Sequence, residues 1–253
     1  MVIESTRNET VKRARALAQR KGRLEQGVHF IEGERLVREA VLSGAQLVDA
    51  FVEEGHEPMA AMLSGSGANV HFVRHSVMES LTQTGTPQGV CATVKTPEQP
   101  LPEQYPAGLI VALDCVQDPG NLGTILRTAD AMGASGLLLG EGCADPYAPK
   151  PLRAAMGSIY HIPVWQGELA NEIPRLAAQG FMLVCGHLKG GDVLPDPGEK
   201  CVLVIGNEGN GVSDAVAAQC EKYRLPMYGR AESLNASVAA GILIYELARK
   251  MRG

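Results

Sequence analysis

Residues 224–249 read RLPMYGRAESLNASVAAGILIYELAR, and the rest of the 253-residue chain is organised around them. Tyr223 to Met227 has the length of a short strand. A Gly-bearing loop, Tyr228 to Glu232, follows, and then a polar cluster of Ser233, Asn235 and Ser237. Val238, Ala239, Ala240, Ile242, Leu243, Ile244, Leu247 and Ala248 form a helix that is apolar almost all the way round, which predicts burial on every side. Hydroxyl and amide groups at its mouth are the types that cap helix N-termini and bind anions there. Capping of a core helix and ligand binding are both open readings of that cluster.

The strands upstream carry the same message. Leu109 to Val116 (LIVALDCV) and Cys201 to Ile205 are unbroken apolar runs, as expected of strands buried on both faces. Further strands are predicted at Gly136–Leu139, His161–Trp165 and Phe181–Cys185. Helices are predicted over 122–132, 150–157, 168–179 and from Ser213, with Asp118-Pro119-Gly120-Asn121 as a loop. This alternation gives an open parallel sheet with helices on both faces. Residues 97–107, rich in proline and without helical or strand period, read as a linker. Before it, strands at 30–32, 47–53, 70–73 and 90–94 alternate with helices at 34–43, 58–63 and 76–81, a small α/β sandwich. A basic helix over 10–20 precedes them, with Lys21-Gly22-Arg23 as its stop. The expected domains are therefore 1–96 and 108–253.

Composition is ordinary for a globular protein, 45% hydrophobic and 20% charged. No stretch is apolar and long enough for a membrane span, and the first residues lack the apolar core of a secretory leader. The six cysteines are scattered, without a Cys-x-x-Cys pair, and read as reduced thiols of a cytosolic protein, not as metal ligands or disulfides. The net charge of -5 does not suggest a nucleic-acid partner. Its distribution does: Arg7, Lys12, Arg13, Arg15, Arg20, Lys21 and Arg23 crowd one segment. That is either an electrostatic footprint for phosphates or a solvated helix face.

Three loops follow the carboxyl ends of strands, where open α/β sheets bind ligands: Gln117 to Gly123, Gly206 to Gly211, and Tyr228 to Asn235. Together they make one polar crevice containing Asn121, Arg127, Glu208, Ser233 and Asn235. GNEGNG is not a dinucleotide fingerprint, and no phosphate loop ends in Gly-Lys-Ser/Thr. Each residue also has a plainer reading. Arg127 could pair with Asp118 or Asp130, Glu208 could be solvated, and Ser233 and Asn235 could be caps. His161 and His187 read as packed or hydrogen-bonded, not catalytic.

DPGNLGTILRTADAMGA (118–134), LVIGNEGNGVS (203–213) and LPMYGRAESLNASVAAGILIYE (225–246) resemble the three ordered motifs of the SpoU (TrmH-like) RNA ribose 2'-O-methyltransferases. RAAMGSIYHIPV (153–164) resembles the segment between the first two motifs. FIEGERLVREAVLSGA (30–45) and TPQGVCATV (86–94) resemble the family's L30e-like substrate-binding domain. Ala236 stands where valine is commoner. The resemblance implies a SPOUT-like trefoil knot in residues 108–253, a homodimer, and S-adenosylmethionine held by backbone groups of Gly206, Leu225 and Leu234. It implies RNA as partner, ribosomal RNA ahead of transfer RNA, in the cytoplasm, with no metal and no membrane. Arg127 would bind the nucleotide phosphate and stabilise the developing 2'-alkoxide, since a guanidinium is a poor base. Asn121, Ser233 and Asn235 would orient the nucleotide, and Glu208 would fix the loops. A non-catalytic RNA-binding or ribosome-assembly protein of the same fold is the rival reading.

Overall fold

The computed structural model describes residues 2–231 and 233–253. The chain divides into two compact units: Met1–Glu98 with Asp145–Tyr160, and Gln99–Ala144 with His161–Gly253.

The first unit is built on a mixed five-stranded sheet of order β1-β4-β3-β5-β2. Its strands are β1 (Val2–Ile3), β2 (Val28–Glu32), β3 (Leu47–Glu53), β4 (Asn69–Val73) and β5 (Val90–Lys95). The helices are α1 (Glu9–Ala16), α2 (Arg20–Gln26), α3 (Glu34–Leu42), α4 (Glu57–Gly65) and α5 (His75–Leu81). The basic segment is two helices where one was expected, and Lys21-Gly22-Arg23 lies inside α2. The reason is steric. A Cβ on Gly22 would sit 2.2 Å from the carbonyl oxygen of Ala16, so this glycine lets α2 close against the end of α1. The helix stop is Gly27, in the left-handed conformation at φ 65°. Arg23 is not part of a basic surface. It is buried, donates to Leu17 O at 2.7 Å and pairs with Asp145 at 2.7 Å.

Residues 145–160 carry α7 (Pro149–Ala155) and a 3₁₀ turn, Ser158–Tyr160. Leu152, Ala155 and Ile159 are buried. His29, wholly buried in β2, joins Thr96 Oγ1 at 3.1 Å to Tyr160 OH at 2.9 Å. Burial is the main force on its imidazole; Arg23 adds to it, and Asp145 opposes it too weakly. The pKa is lowered to about 3.

The second unit is a six-stranded sheet of order β11-β9-β10-β6-β7-β8, parallel throughout. Its strands are β6 (Gly108–Asp114), β7 (Gly136–Leu139), β8 (Val164–Gln166), β9 (Met182–Gly191), β10 (Lys200–Gly206) and β11 (Glu221–Tyr223). Its helices are α6 (Pro119–Ala131), α8 (Leu169–Ala178), α9 (Asp214–Ala217) and α10 (Ala236–Arg252). Alternate residues of β6 explain the unbroken apolar runs. Ile110 and Ala112 enter a core with Ile173 and Leu176 of α8 and Val216 of α9, while Leu109, Val111 and Leu113 are buried on the opposite face, which α6 and α10 cover. β11 stops at Tyr223, short of the expected Met227, because Pro226 has no N–H to continue a ladder. β8 likewise begins only after Pro163. Among the described residues no helix is long and apolar enough to cross a membrane.

The last helix corrects an expectation. Ala240, Leu243, Ile244, Leu247 and Ala248 are buried, but Val238, Ile242 and Tyr245 are 51%, 39% and 52% exposed. They recur at i, i+4 and i+7, one stripe along the helix. Within its own chain α10 buries one face, not all.

Candidate active site

The site is assembled from the carboxyl ends of β6 and β10 and the N-termini of α6 and α10. β6 ends at Asp114, and the next residue, Cys115, turns the chain at φ 58°. Helix α6 starts three residues earlier than the Gly and Pro content suggests. Asp118 caps it, accepting from Asn121 N at 2.8 Å, and Pro119 occupies the first turn, where its missing N–H costs nothing. Asn121 is thereby held in the first turn with its side chain 8% exposed.

The loop after β10 has its own scaffold. A Cβ on Gly206 would lie 2.1 Å from the backbone of Gly211 and Val212, so only glycine fits where the loop doubles back. Asn207 Oδ1 accepts from the N–H groups of Gly209 (2.9 Å) and Asn210 (3.1 Å), and its amide donates to Cys115 O at 2.9 Å. Ser213 N donates to Asp114 Oδ2 at 2.7 Å. Asn207 and Asp114 hold this loop in shape, and the sequence reading passed over both. The Asn-x-Gly-Asn spacing is an Asx-turn signal that could have found the first.

These supports aim Glu208 at α6. Its carboxylate accepts from Gln117 N (3.2 Å), Asp118 N (3.0 Å) and Asn121 Nδ2 (3.0 Å). Partial desolvation pushes its pKa up. The Asn121 amide and the N–H groups of Glu208, Asp118 and Gln117 more than offset this, so the carboxyl titrates below its usual range. On the other side of Asn121, its Oδ1 accepts from Asn235 Nδ2 at 3.0 Å. Asn235 Oδ1 caps α10, accepting from Ser237 N (2.9 Å), Val238 N (3.3 Å) and Ser237 Oγ (2.7 Å). Asn235 is therefore both the cap of α10 and a partner of Asn121.

Three of the anticipated side chains, Glu208, Asn121 and Asn235, thus form one hydrogen-bonded chain. The others lie outside it. Arg127 is exposed on α6, six residues from Asn121 and so roughly 9 Å along the helix axis. It pairs with no described residue: Asp130 holds His161 Nδ1 at 2.7 Å, and Asp118 caps the helix. Ser233 is exposed, Gly206 and Leu225 are half-buried, and Leu234 is 37% exposed. His187 accepts from Lys189 N at 3.1 Å. Among the described residues no group of His, Cys, Asp and Glu side chains comes together as a metal site.

A nucleoside sulfonium fits this donor set. Arg224 N is taken up by Gly191 O at 2.9 Å, but residues 225–231 beyond it adopt neither helix nor strand, which leaves backbone groups outside any ladder for an adenosine to meet. Leu225 and Leu234 offer partly open apolar surface beside them.

Comparison with known proteins bears on the whole chain. Residues 108–245 match the SpoU rRNA methylase family, and residues 8–92 match the MRM3-like substrate binding domain. The 23S rRNA (guanosine(2553)-2'-O)-methyltransferase RlmP of Bacillus subtilis is 37% identical over 97% of this chain and 98% of its own. The AdoMet-bound rRNA methyltransferase of Sinorhizobium meliloti superposes with a TM-score of 0.90 at 35% identity, covering 98% of this chain and 97% of that one. The SpoU methyltransferase AviRb of Streptomyces viridochromogenes, in complex with AdoMet, gives a TM-score of 0.85 at 29% identity, covering 96% and 98%.

Proposed function

The chain belongs to the SpoU rRNA methylase family, and we propose that it methylates a ribose 2'-hydroxyl of ribosomal RNA, with S-adenosylmethionine as cofactor. The observation that carries the reading is the Glu208–Asn121–Asn235 chain, which ties the loops after β6 and β10 to the mouth of α10. A non-catalytic relative would have no need of a buried asparagine satisfied on both sides at the ligand end of the sheet.

When bound, S-adenosylmethionine supplies the methyl group. Backbone groups of Gly206, Leu225 and Leu234 are the residues that would hold it. The protein's own part is positioning and charge. Arg127, exposed and paired with no described residue, takes the nucleotide phosphate and stabilises charge developing on the 2'-oxygen. Asn121, Ser233 and Asn235 orient the ribose. Glu208, ionised and triply hydrogen-bonded, fixes the loops, because transfer tolerates little misalignment.

The same reading assigns RNA binding to an L30e-like domain over 1–96, a linker to 97–107 and methyl transfer to 108–253. The second domain carries a trefoil knot. Its support is the path of the chain, which leaves β10 inside the sheet, reaches the edge as β11 and returns as α10 against β6, β9 and β10. The active form is a cytoplasmic homodimer. Its supports are the exposed stripe of α10 and the six free cysteines, which suit a reducing compartment.

The test is incubation with methyl-labelled S-adenosylmethionine and total RNA from a strain lacking the gene, followed by mapping of ribose methylation. Label on a ribosomal RNA ribose is expected. Label on transfer RNA alone would reassign the substrate, and none would favour the non-catalytic rival.

A further inference from the structure

The first unit holds a cleft of about 280 Å³ that the proposed chemistry does not use. Its floor is a break in the sheet. The β3–β5 register shifts between Leu47 and Ala50, and Asp49 N donates to the hydroxyl of Thr93 at 3.0 Å in place of a regular ladder bond. Such bulges re-aim side chains and recur beside binding sites. Here the irregularity sets Val48 and Asp49 into the cleft. One wall is α1 and the end of α2, where Gln26 Nε2 donates to Arg13 O at 3.1 Å. Lys95, the last residue of β5, pairs with Val28 just after α2 and also lines the cleft.

The charges are distributed unevenly. Asp49 is 16% exposed and accepts from His71 Nε2 at 2.8 Å. Arg13 and Lys95 form no ion pair with any described residue, whereas Lys12 and Lys21 pair with Glu9 and Glu25 on their own helices. The cleft therefore offers two uncommitted cations, an acceptor carboxylate, an amide and apolar surface at Val48. Its volume falls just short of the roughly 300–1,000 Å³ of sites for drug-sized molecules, which suits one nucleotide.

We propose that this cleft is a subsite for a single unpaired nucleotide of the RNA substrate. Arg13 and Lys95 take its phosphate, and its base enters over Val48. The base edge meets Gln26 and Asp49, an acceptor that favours a base bearing an amine. The inference rests on the RNA reading above and adds a contact in the first unit, apart from the methyl-transfer residues.

The experiment measures binding of purified ribosomal RNA to the full-length protein, and the KM for that RNA in methyl transfer. Two variants are used. Val48→Phe fills the cleft and changes no charge. Gln26→Ala with Lys95→Ala removes side chains at its margin. Val48→Phe is expected to weaken binding about tenfold with an unchanged salt slope. The double variant is expected to weaken binding and to flatten the slope by about one phosphate contact. S-adenosylmethionine binding should be unaltered in both. Wild-type affinity and KM in both variants would overturn the subsite while leaving the methyltransferase reading intact. A wild type that methylates no RNA would instead fail that reading. If Val48→Phe does not fold, the double variant decides alone.

Discussion

Asn235 donates its side-chain amide to Asn121 Oδ1 at 3.0 Å, across 114 positions of sequence. The same Asn235 caps α10 with its oxygen. One residue thus sets the start of the last helix and the orientation of the first loop, and the two roles can be separated. Asn235→Ser keeps an N-cap oxygen, but its short hydroxyl cannot reach Asn121 as the Asn235 amide does. Turnover should fall by ~10²-fold, with a melting temperature close to wild type. Asn235→Ala should lose the turnover and, in addition, ~1 kcal/mol of stability from the cap. Equal activity of Asn235→Ser and wild type, measured at saturating RNA, would reduce Asn235 to a cap.

Arg127 presents the opposite case, a side chain with no partner among the described residues. Arg127→Ala should leave stability within about 0.5 kcal/mol, as for an ordinary surface substitution. It should abolish methyl transfer while keeping S-adenosylmethionine affinity within a few-fold. Thermal melts, calorimetry and turnover on one preparation check all three. Near wild-type turnover would remove Arg127 from the mechanism.

Glu208 faces three N–H donors and no acceptor among its recorded partners. In Glu208→Gln the new amide must turn an N–H toward one of them, so turnover should drop although size and shape are kept. The lowered folded-state pKa fixes the sign of the acid response. The carboxylate contributes stability above its unfolded pKa and loses it as pH falls toward the folded value. Glu208→Gln should therefore show a weaker loss of stability on acidification, read as melting temperature against pH. A profile parallel to wild type would mean the carboxylate is solvated.

How much of this was legible in sequence depended on whether the signal was local. Unbroken runs such as LIVALDCV gave the parallel strands, because burial on both faces leaves no polar alternation. Asn121, Glu208 and Asn235 stood out as polar groups at strand ends. Gly22 was misread as a stop because its missing side chain makes room for the carbonyl of Ala16, which no local pattern reports. The apolar spacing of Leu152, Ala155 and Ile159 shows that residues 145–160 bury a face. It does not say that they pack with residues from the other end of the chain. That packing also bears on dissection. Deleting residues 1–96 would strip cover from those side chains, so substituting Arg7, Arg15 and Arg20 is the better probe of RNA affinity. Each phosphate contact removed should flatten the salt dependence of binding.

His29 gives a second pH response, with its own sign. Its folded-state pKa is about 3 against an ordinary 6.5. Above 6.5 both states are neutral and the residue adds no pH dependence. Between 6.5 and 3 the unfolded chain binds a proton that the folded protein refuses, so stability falls as pH falls. At pH 5 the loss is about 2 kcal/mol. His29→Gln should flatten the melting-temperature profile between pH 7 and pH 5, at some cost in stability at neutral pH from the disturbed bonds to Thr96 and Tyr160. An unchanged slope would mean that the imidazole is not the group responsible.

The last helix leads to the assembly. A stripe of Val238, Ile242 and Tyr245 lies open along α10, while the helix's other face is fully engaged. Exposed apolar residues scattered singly are common on protein surfaces, but a continuous stripe beside a ligand site is not. Covering it would contribute about 25 cal/mol per Å² of apolar area, enough over a standard interface to hold a permanent pair. A second copy is the occupant that needs no further gene product. Ile242→Glu places a charge in the centre of the stripe and should yield monomers. Because Ile242 is partly exposed, the variant should still fold, and circular dichroism can check that. If the site is completed at the interface, turnover should fall in step with dissociation. Sedimentation of the wild type at low micromolar concentration tests the premise: a single species at the monomer mass would mean that the stripe of α10 is simply solvent-facing.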